Sequence, residues 1–274
     1  MESIVIGVVG YGFVGRAVNQ LAETFPTAIY DPYSKEFGTP EHKTRAYNAD
    51  VIFINVPTDL REGRLDASII KSCVDDFVAT NRDSQSIIVI KSTVSVGTCA
   101  AIEEQYELDN VVFNPEFLSQ RTAMKDFVEQ KELYLAGSEE NTAKVRRVYE
   151  EFFRGMGNND VKIFETVSWE EIELLKLARN SFYGVKVGFC NYLHNICHKS
   201  GIDYDTFAQH FGRGEWVGKQ HTRVPGPDGR YGYGGKCLPK DSIEMLNWYK
   251  ESDILFGILD SSIKFNEEQR RLKL

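Results

Sequence analysis

Short runs of apolar residues recur through the first part of the chain, each bounded by polar or glycine-containing segments. They cover residues 3–9, 27–30, 51–56 and 86–90, with shorter runs at 111–113 and 133–136. Between several of them lie stretches with apolar residues at helical spacing, at residues 14–24, 67–79 and 142–153. Strands that alternate with helices are typical of βαβ units, so we predict a mostly parallel sheet covered on both faces.

The pattern changes near residue 165. Residues 169–200 keep helical spacing without a proline, which predicts one long helix. A short helix at 203–212, a loop rich in Gly, Pro and Arg at 212–235, and two helices at 240–250 and 254–271 follow. We therefore predict an α/β protein, with a Rossmann-like, mostly parallel sheet domain at residues 1–166. An α-helical domain built on the long helix is predicted at residues 167–274.

The composition narrows the possible classes of function. Hydrophobic residues make up 42% and charged residues 26%, which argues against disorder. A net charge of −8 disfavours nucleic acid as a partner, because phosphate binding needs a basic surface. Apolar runs stay shorter than the roughly 18 residues of a membrane-spanning helix, so we expect no membrane partner.

Five cysteines, an odd number without CxxC spacing, fit a reducing compartment and at least one free thiol. The first residues already enter a strand pattern, which leaves no room for a signal peptide. Both observations predict a cytoplasmic protein. Four of the cysteines lie in apolar helical contexts and are predicted to be buried, namely Cys73, Cys99, Cys190 and Cys197.

A GxGxxG sequence at residues 10–15 follows the first predicted strand and opens a helix. In this context the glycines permit a tight turn and the close approach of a pyrophosphate to the helix N-terminus. Asp31 ends the second strand about 20 residues further on, where a carboxylate accepts hydrogen bonds from ribose hydroxyls. A tight turn with a surface aspartate is the plainer interpretation. The register of strand, glycines, helix and acid favours a dinucleotide site, and the carboxylate favours NAD over NADP.

Residues 232–241, with the sequence GYGGKCLPKD, place Cys237 between glycines and a predicted helix start. Glycines let the backbone approach a substrate closely. The positive end of the helix dipole and the neighbouring Lys236 or Lys240 favour the reactive thiolate form. A packed cysteine in a turn is the alternative.

Further candidates for chemistry lie on the long helix and at strand ends. Lys176 and Asn180, four residues apart, project from one helix face and can both donate to an oxygen that gains negative charge. From spacing alone, a solvated face explains them equally well. Thr93 and Glu116 follow predicted strands, at the edge where parallel sheets bind ligands. In one interpretation, Thr93 supplies a hydroxyl and Glu116 supplies a carboxylate that activates water. In the other, Thr93 is a turn residue and Glu116 is an N-cap acid.

Taken together and in order, the motifs resemble the UDP-glucose/GDP-mannose dehydrogenase family. The matching segments are GYGFVG, ADVIFINVPT, IKSTVSVGT, FNPEFL, ELLKLARNSF, VPGPDG and GYGGKCLPKD. The resemblance covers essentially the whole chain, and GYGGKCLPKD and NPEFL are highly specific. It implies a nucleotide-sugar substrate whose C6 alcohol is oxidised to a carboxylate with NAD, as from UDP-glucose to UDP-glucuronate.

The resemblance also assigns roles to single residues. Cys237 attacks an aldehyde intermediate, giving a thiohemiacetal and then a thioester. Asp241, through a water shared with Thr93, removes the hydroxyl proton. Lys176 and Asn180 stabilise the oxyanion. Glu116 promotes hydrolysis of the thioester.

Cofactor and substrate contacts follow from the same resemblance. The implied cofactor-binding residues are Gly10, Gly12, Phe13, Val14, Gly15, Asp31, Val56, Pro57, Thr58, Ser92, Thr93 and Lys240. The implied substrate-binding residues are Glu116, Phe117, Leu118, Lys176, Asn180, His221, Arg223, Tyr233 and Gly234.

This sequence departs from the family pattern in several places. Family members commonly continue into a third domain that helps bind the nucleotide, and we expect that part of the pocket to lie outside these 274 residues. Gln120 lies where the family usually has a glutamate, Trp216 where it has an arginine and Ser95 where it has a proline. Residues 129–132 lie where it has a Pro-Asp-Arg stretch. These differences leave open an N-acetylhexosamine nucleotide or GDP-mannose as substrate. A different class of function is also open: a truncated NAD-binding module that is catalytically silent, or that acts only with a partner chain supplying the third domain.

Apolar residues of the long helix spread over more of its circumference than one flanking domain requires. They are Ile172, Leu175, Phe182, Val185, Phe189, Tyr192, Leu193 and Ile196. A helix that is apolar on several sides must be buried on several sides, and two-fold pairs are the commonest oligomers. We predict a homodimer through this helix, which the resemblance also implies. The loop at 212–230, with Arg213, His221 and Arg223, is expected to reach the neighbour's substrate phosphates.

Overall fold

A seven-stranded sheet occupies residues 6–166 of the computed structural model, which describes residues 4–81, 85–251 and 257–272. Its strand order is β2-β1-β3-β6-β7-β8-β9, and β7 and β8 are its one antiparallel pair among the described residues. Strands β4 and β5 form a separate two-residue antiparallel pair. The strands are β1 Ile6–Val9, β2 Thr27–Tyr30, β3 Val51–Ile54, β4 Leu60–Arg61, β5 Arg64–Leu65, β6 Ile87–Ile90, β7 Val111–Phe113, β8 Glu132–Ala136 and β9 Lys162–Thr166.

Ten helices are described. They are α1 Phe13–Val18, α2 Pro40–Tyr47, α3 Ser68–Asn81, α4 Thr98–Tyr106, α5 Ala123–Glu129, α6 Glu139–Gly155, α7 Trp169–Lys199, α8 Tyr204–Phe211, α9 Leu238–Glu251 and α10 Gly257–Arg271. A 3-10 segment, Asn19–Glu23, continues α1. Within the described ranges, none of the helices is both long and apolar enough to cross a membrane.

Both faces of the sheet are covered, because the central strands are apolar at every position. Ile6 and Val8 of β1 belong to one buried cluster, whereas Val9 belongs to a second cluster. In β6, Ile87 and Val89 contribute to the first cluster, and Ile88 and Ile90 contribute to the second. Successive side chains of a strand point to opposite faces, so a continuous apolar run marks a strand buried on both sides.

The chain divides into two compact units. The first comprises residues 1–59 and 66–176, and the second comprises residues 60–65 and 177–274. The division falls within α7 after Lys176, whereas the predicted boundary at residue 166 precedes this helix. In the second unit, Cys190, Cys197, Tyr204 and Val224 form a buried cluster.

The predicted fold, a mostly parallel Rossmann-like sheet followed by helices around one long helix, is confirmed. Several elements were missed, namely α2, α4, α5, β9 and the β4–β5 pair. The helix predicted at 14–24 is α-helical only to Val18 and continues as the 3-10 segment. Ser3, at the start of the first predicted strand, and residues 254–256 of the last predicted helix lie outside the described residues.

Candidate active site

The glycine loop between β1 and α1 has the tight geometry that the motif predicts. Gly10 has φ of +82°, in the left-handed region that favours glycine. A Cβ added at Gly15 would collide with the carbonyl oxygen of Gly10, so this glycine is required by packing. A Cβ added at Gly12 would meet nothing within 4 Å. Gly12 therefore leaves open space beside the first turn of α1, where Phe13 and Val14 begin the helix.

Asp31 follows β2 and is fixed against the glycine loop. Its Oδ2 accepts a hydrogen bond from the backbone N–H of Tyr11 at 2.7 Å, and its Oδ1 accepts one from Tyr33 at 2.9 Å. Each carboxylate oxygen has a second lone pair. The carboxylate is thus oriented by the backbone and keeps capacity to accept from a ligand hydroxyl.

Two loops after neighbouring strands β3 and β6 are joined by side-chain hydrogen bonds. The hydroxyl of Thr58 donates to the carbonyl oxygen of Thr93 at 2.6 Å, and the hydroxyl of Ser92 donates to that of Val56 at 2.7 Å. Pro57 between them is exposed. Because β3 and β6 are parallel neighbours, their carboxyl ends meet at one edge of the sheet. The structure thus brings together five of the residues expected to contact the cofactor.

Glu116 follows β7 and is not at the start of a helix, so the N-cap interpretation is wrong. The next helix, α5, begins at Ala123 with Thr122 as its N-cap. Oε1 of Glu116 accepts from the backbone N–H of Phe117 at 2.8 Å, and Oε2 lies 3.1 Å from Nζ of Lys91. Phe117 and Leu118 that follow are half-buried.

Lys176 and Asn180 lie on consecutive turns of α7, as predicted, and each is buried. Nζ of Lys176 donates to the carbonyl oxygen of Glu116 and lies 4.7 Å from the centre of the Phe117 ring. The predicted cation is therefore fixed next to the predicted carboxylate residue. Neither Lys176 nor Asn180 belongs to a solvated helix face.

Asp241 is fully buried in the second unit, and both of its oxygens have partners. The amide Nδ2 of Asn180 donates to Oδ2 at 2.5 Å, and Nζ of Lys240 donates to Oδ1 at 2.6 Å. Three residues that the sequence singled out for separate reasons are thus connected. In this arrangement Lys240 forms an ion pair with Asp241.

Cys237 immediately precedes α9, and its carbonyl oxygen accepts from the backbone N–H of Asp241 at 3.0 Å. The expected position at a helix N-terminus is therefore confirmed. Its side chain is exposed, whereas the other four cysteines are buried and free, as predicted. Burial raises the pKa of Cys73 to about 11, and it also raises the pKa of Cys99 and Cys190.

Two asparagines hold the glycine run before Cys237. Oδ1 of Asn191 on α7 accepts from Gly232 at 2.9 Å. Oδ1 of Asn266 on α10 accepts from the backbone of Tyr233 at 2.7 Å, and its Nδ2 donates back to Tyr233 at 3.1 Å. The guanidinium of Arg270 lies against Gly234, where a Cβ would approach it to 2.7 Å. Tyr233 is 5% exposed, so it offers a ligand little side-chain surface.

The loop at residues 212–235 carries the remaining candidates. The His221 ring stacks on Tyr183 with 4.5 Å between ring centres, and its backbone has φ of +64°. Desolvation, with a smaller contribution from Lys186, lowers the pKa of His221, which favours the neutral ring at pH 7. Arg223 is exposed. These two are not joined by any described contact to Cys237.

Sequence reasoning missed Lys91, Glu173, Asn191 and Asn266. Glu173 on α7 is fully buried and accepts from the backbone of Gly97 and Cys99, at 2.6 and 2.9 Å, at the start of α4. Its position one turn before Lys176 was an available signal. Lys91 directly precedes the Ser92–Thr93 pair, so its proximity to the site was visible, although its burial was not.

Comparison with known proteins gives the family. Residues 33–153 match the model of the UDP-glucose/GDP-mannose dehydrogenase family, NAD binding domain, and residues 170–268 match the model of its central domain. The chain is similar to the UDP-glucose 6-dehydrogenase of Rhizobium meliloti (strain 1021), with 29% identity over 241 residues that cover 85% of this chain and 53% of that protein. It is also similar to the UDP-glucose 6-dehydrogenase of Rickettsia typhi, with 32% identity over 226 residues, 80% of this chain and 50% of that protein.

Among solved structures, a UDP-glucose dehydrogenase from the hyperthermophilic archaeon Pyrobaculum islandicum superposes with a TM-score of 0.81. It is 20% identical, and the match covers 97% of this chain and 68% of that chain. The present chain spans about half the length of the curated relatives it matches. NAD, the cofactor expected from the sequence, is that of the matched domain, and the open space at Gly12 beside the oriented carboxylate of Asp31 fits it.

Proposed function

The chain belongs to the UDP-glucose/GDP-mannose dehydrogenase family, and from this membership we propose that it oxidises the C6 alcohol of a nucleotide sugar to a carboxylate. We propose UDP-glucose as the substrate and UDP-glucuronate as the product. The observation that carries the proposal is the exposed Cys237 at the start of α9, one turn before the buried Asp241. A simple alcohol dehydrogenation has no need of such a nucleophile.

In the first oxidation, Asp241 accepts the proton of the C6 hydroxyl through a water shared with Thr93. Bound NAD supplies the hydride acceptor, and two molecules are used in succession for the four-electron oxidation. Gly10, Gly12, Gly15, Asp31 and the joined loops after β3 and β6 are the residues that would hold it. The full burial of Asp241 and its orientation by Asn180 and Lys240 support this role, because a proton acceptor must be held in a fixed position.

Cys237 then adds to the aldehyde. A bond forms between Sγ and C6, and the carbonyl oxygen becomes the oxyanion of a thiohemiacetal. Lys176 and Asn180 supply hydrogen-bond donors for this oxygen. Both side chains are buried and held by partners, which supports preorganised donors rather than mobile surface groups.

The second hydride transfer leaves a thioester between Cys237 and C6. In its hydrolysis a water oxygen bonds to C6, a water proton passes to the Glu116 carboxylate, and the C–S bond breaks to release the Cys237 thiolate. The product leaves as a carboxylate. The orientation of Glu116 by the Phe117 backbone supports its role as the base.

The choice of sugar rests on the relatives and on the residues that depart from the family pattern. The relatives named above act on UDP-glucose according to their names, whereas Gln120, Trp216 and Ser95 depart from the family pattern. An N-acetylhexosamine nucleotide and GDP-mannose are the competing substrates, and dependence on a partner chain is the competing mode of action. We place the reaction in the cytoplasm, where the five free thiols stay reduced, and we propose a homodimer through α7.

The stoichiometry of NADH tests this function. Purified protein incubated with NAD and UDP-glucose, UDP-N-acetylglucosamine or GDP-mannose should release two NADH for each sugar consumed, with one preferred sugar. The Cys237→Ser variant should form no carboxylate and should still bind NAD, because the thiol is not among the dinucleotide contacts. Carboxylate formation at the wild-type rate by this variant would exclude the cysteine mechanism. One NADH per sugar would identify a simple alcohol dehydrogenase.

A further inference from the structure

Lys91 is a buried cation next to the carboxylate of Glu116, and the proposed reaction has not used it. Its side chain is 2% exposed and that of Glu116 is 9% exposed. Nζ of Lys91 lies 3.1 Å from Oε2 of Glu116, 2.8 Å from Oδ1 of Asn114 and 3.4 Å from the hydroxyl of Tyr149. An ammonium group has three protons, and these three acceptors match them.

The acceptors are themselves held in place. The Tyr149 hydroxyl donates to Oδ1 of Asn114 at 2.6 Å, and Nδ2 of Asn114 donates to the carbonyl oxygen of Tyr134 at 2.8 Å. Tyr149 is fully buried, and its ring contacts those of Phe53, Phe127 and Phe153. Asn114 follows strand β7 and Tyr149 belongs to helix α6, so both partners of Lys91 are fixed by the fold. They hold the Lys91 ammonium in one position relative to Glu116.

The energetics favour a functional reason for this pair. Burying the lysine ammonium costs desolvation energy, and burial lowers the pKa of Lys91 although the Glu116 carboxylate raises it. A buried ion pair of this kind stabilises a fold weakly, whereas removal of one partner leaves an uncompensated charge. The pair does, however, fix where the second carboxylate oxygen points.

We propose that Lys91 is a positioning residue that orients Glu116 for thioester hydrolysis. The proposal rests on the function given above. Two contacts define the carboxylate: the Phe117 N–H holds Oε1, and Lys91 holds Oε2. Both oxygens retain a second lone pair for the attacking water. Lys176 fixes the backbone of the same residue through its carbonyl oxygen, so Glu116 is held at its backbone and at both carboxylate oxygens.

The kinetic test uses Lys91→Met, together with the milder Tyr149→Phe, which removes one acceptor and keeps the ring. For Lys91→Met we expect kcat to fall about 10- to 100-fold, because misplacing a catalytic group by about 1 Å costs rates of this order. KM should fall by a similar factor, because a slower step after covalent capture lowers kcat and KM together, and a burst of two NADH per active site should precede the slow steady state. Tyr149→Phe should show the same pattern at smaller amplitude. A matched control is Asn110→Ala, which removes a buried hydrogen bond to Ser86 at the opposite end of β7.

A second measurement does not depend on activity. Urea unfolding of Lys91→Met, Glu116→Gln and the double variant forms a double-mutant cycle. We expect the midpoint of Lys91→Met to be the lowest of the three, and the double variant to recover part of the loss, because the unpaired carboxylate is then absent. Additive midpoints, or a kcat for Lys91→Met equal to that of Asn110→Ala, would overturn the proposal. If the wild-type protein oxidises no nucleotide sugar, the proposed function fails, and the cycle still decides whether Lys91 and Glu116 are coupled.

Discussion

The amide of Asn180 on α7 donates to Oδ2 of Asp241 on α9 at 2.5 Å, and both side chains are buried. A one-turn offset on α7 places Lys176 next to the backbone of Glu116. Asn180 thus contacts the residue proposed as the first proton acceptor, and Lys176 contacts the residue proposed as the last. The roles of the two acids differ, and they can be separated by substitution.

Asp241→Asn should lower kcat by about 10²- to 10⁴-fold, the usual contribution of general acid–base catalysis. NAD affinity should not change. Glu244→Gln is the matched control, since Glu244 is fully buried on the same helix and accepts from Arg64 and from the Leu65 backbone. Each variant should lose about 1–3 kcal/mol of unfolding free energy, measured in urea. Similar losses of kcat in Asp241→Asn and Glu244→Gln would mean that any substitution of a buried acid on α9 lowers activity. Asp241 would then have no specific catalytic role.

Glu116→Gln should stop the reaction after the second hydride transfer. Gln cannot accept the proton of water, so the thioester on Cys237 should accumulate. Intact-protein mass spectrometry after mixing with NAD and UDP-glucose should detect a covalent adduct on most of the protein. The double variant Glu116→Gln/Cys237→Ser should carry no adduct. Normal turnover without an adduct would show that Glu116 has only a structural role.

Much of the site was predictable because short motifs carry it. The glycines at 10–15 and the segment at 232–241 are local, and their geometry depends on neighbours in sequence. Lys91 was not predictable in the same way, because its acceptors Asn114 and Tyr149 come from a distant strand and helix. A lysine after an apolar strand ordinarily marks the surface, and three tertiary partners override that rule here.

The missed elements have similar causes. Strand β9 at the sheet edge contains only exposed and half-buried residues, without regular alternation and without an apolar run, so its pairing with β8 determines it. Helix α5 is seven residues long, too short for a clear helical period, and its N-cap Thr122 makes no capping hydrogen bond through its side chain. In both cases, contacts made by the folded chain select the element.

Asp31 should make NAD a better oxidant than NADP by more than about tenfold in kcat/KM, or roughly 1.4 kcal/mol in transition-state binding. A carboxylate that accepts from ribose hydroxyls repels a 2′-phosphate. Asp31→Asn should lower the ratio of kcat/KM with NAD to kcat/KM with NADP. Asp50→Asn is a fair control, because the Asp50 carboxylate also accepts from a backbone N–H, that of Val5, at 2.7 Å. Equal use of both cofactors by the wild-type protein would refute the assignment.

Cys237 should be the one rapidly alkylated thiol of the native protein at pH 8. The pKa of Cys73 is raised to about 11, so its thiolate fraction at pH 8 is roughly one in a thousand. The pKa values of Cys99 and Cys190 are raised in the same direction, and Cys197 is buried. Thiol titration should give one fast equivalent in buffer and five in denaturant. Cys237→Ser should lose the fast one. More than one fast equivalent would mean that a buried cysteine is accessible.

The exposed apolar residues of α7 lie on one side of the helix. Phe182, Phe189, Tyr192 and Ile196 are 63%, 51%, 52% and 39% exposed. Their spacings of seven, three and four residues place them in a single stripe along the helix. An apolar stripe left in water is unfavourable, since full burial of one such side chain contributes about 1.5–3 kcal/mol.

A second copy of the same helix is the economical cover for this stripe, because a two-fold axis pairs identical surfaces. Sedimentation velocity at micromolar concentration should find a dimer for the wild-type protein. Phe189→Glu should shift it to a monomer, because a charge would be buried at the centre of the stripe. Ile69→Glu should leave the dimer intact, since Ile69 is 44% exposed on α3, outside the stripe. A fully active wild-type monomer would contradict the homodimer through α7 and the expectation that residues 212–230 reach a neighbouring subunit.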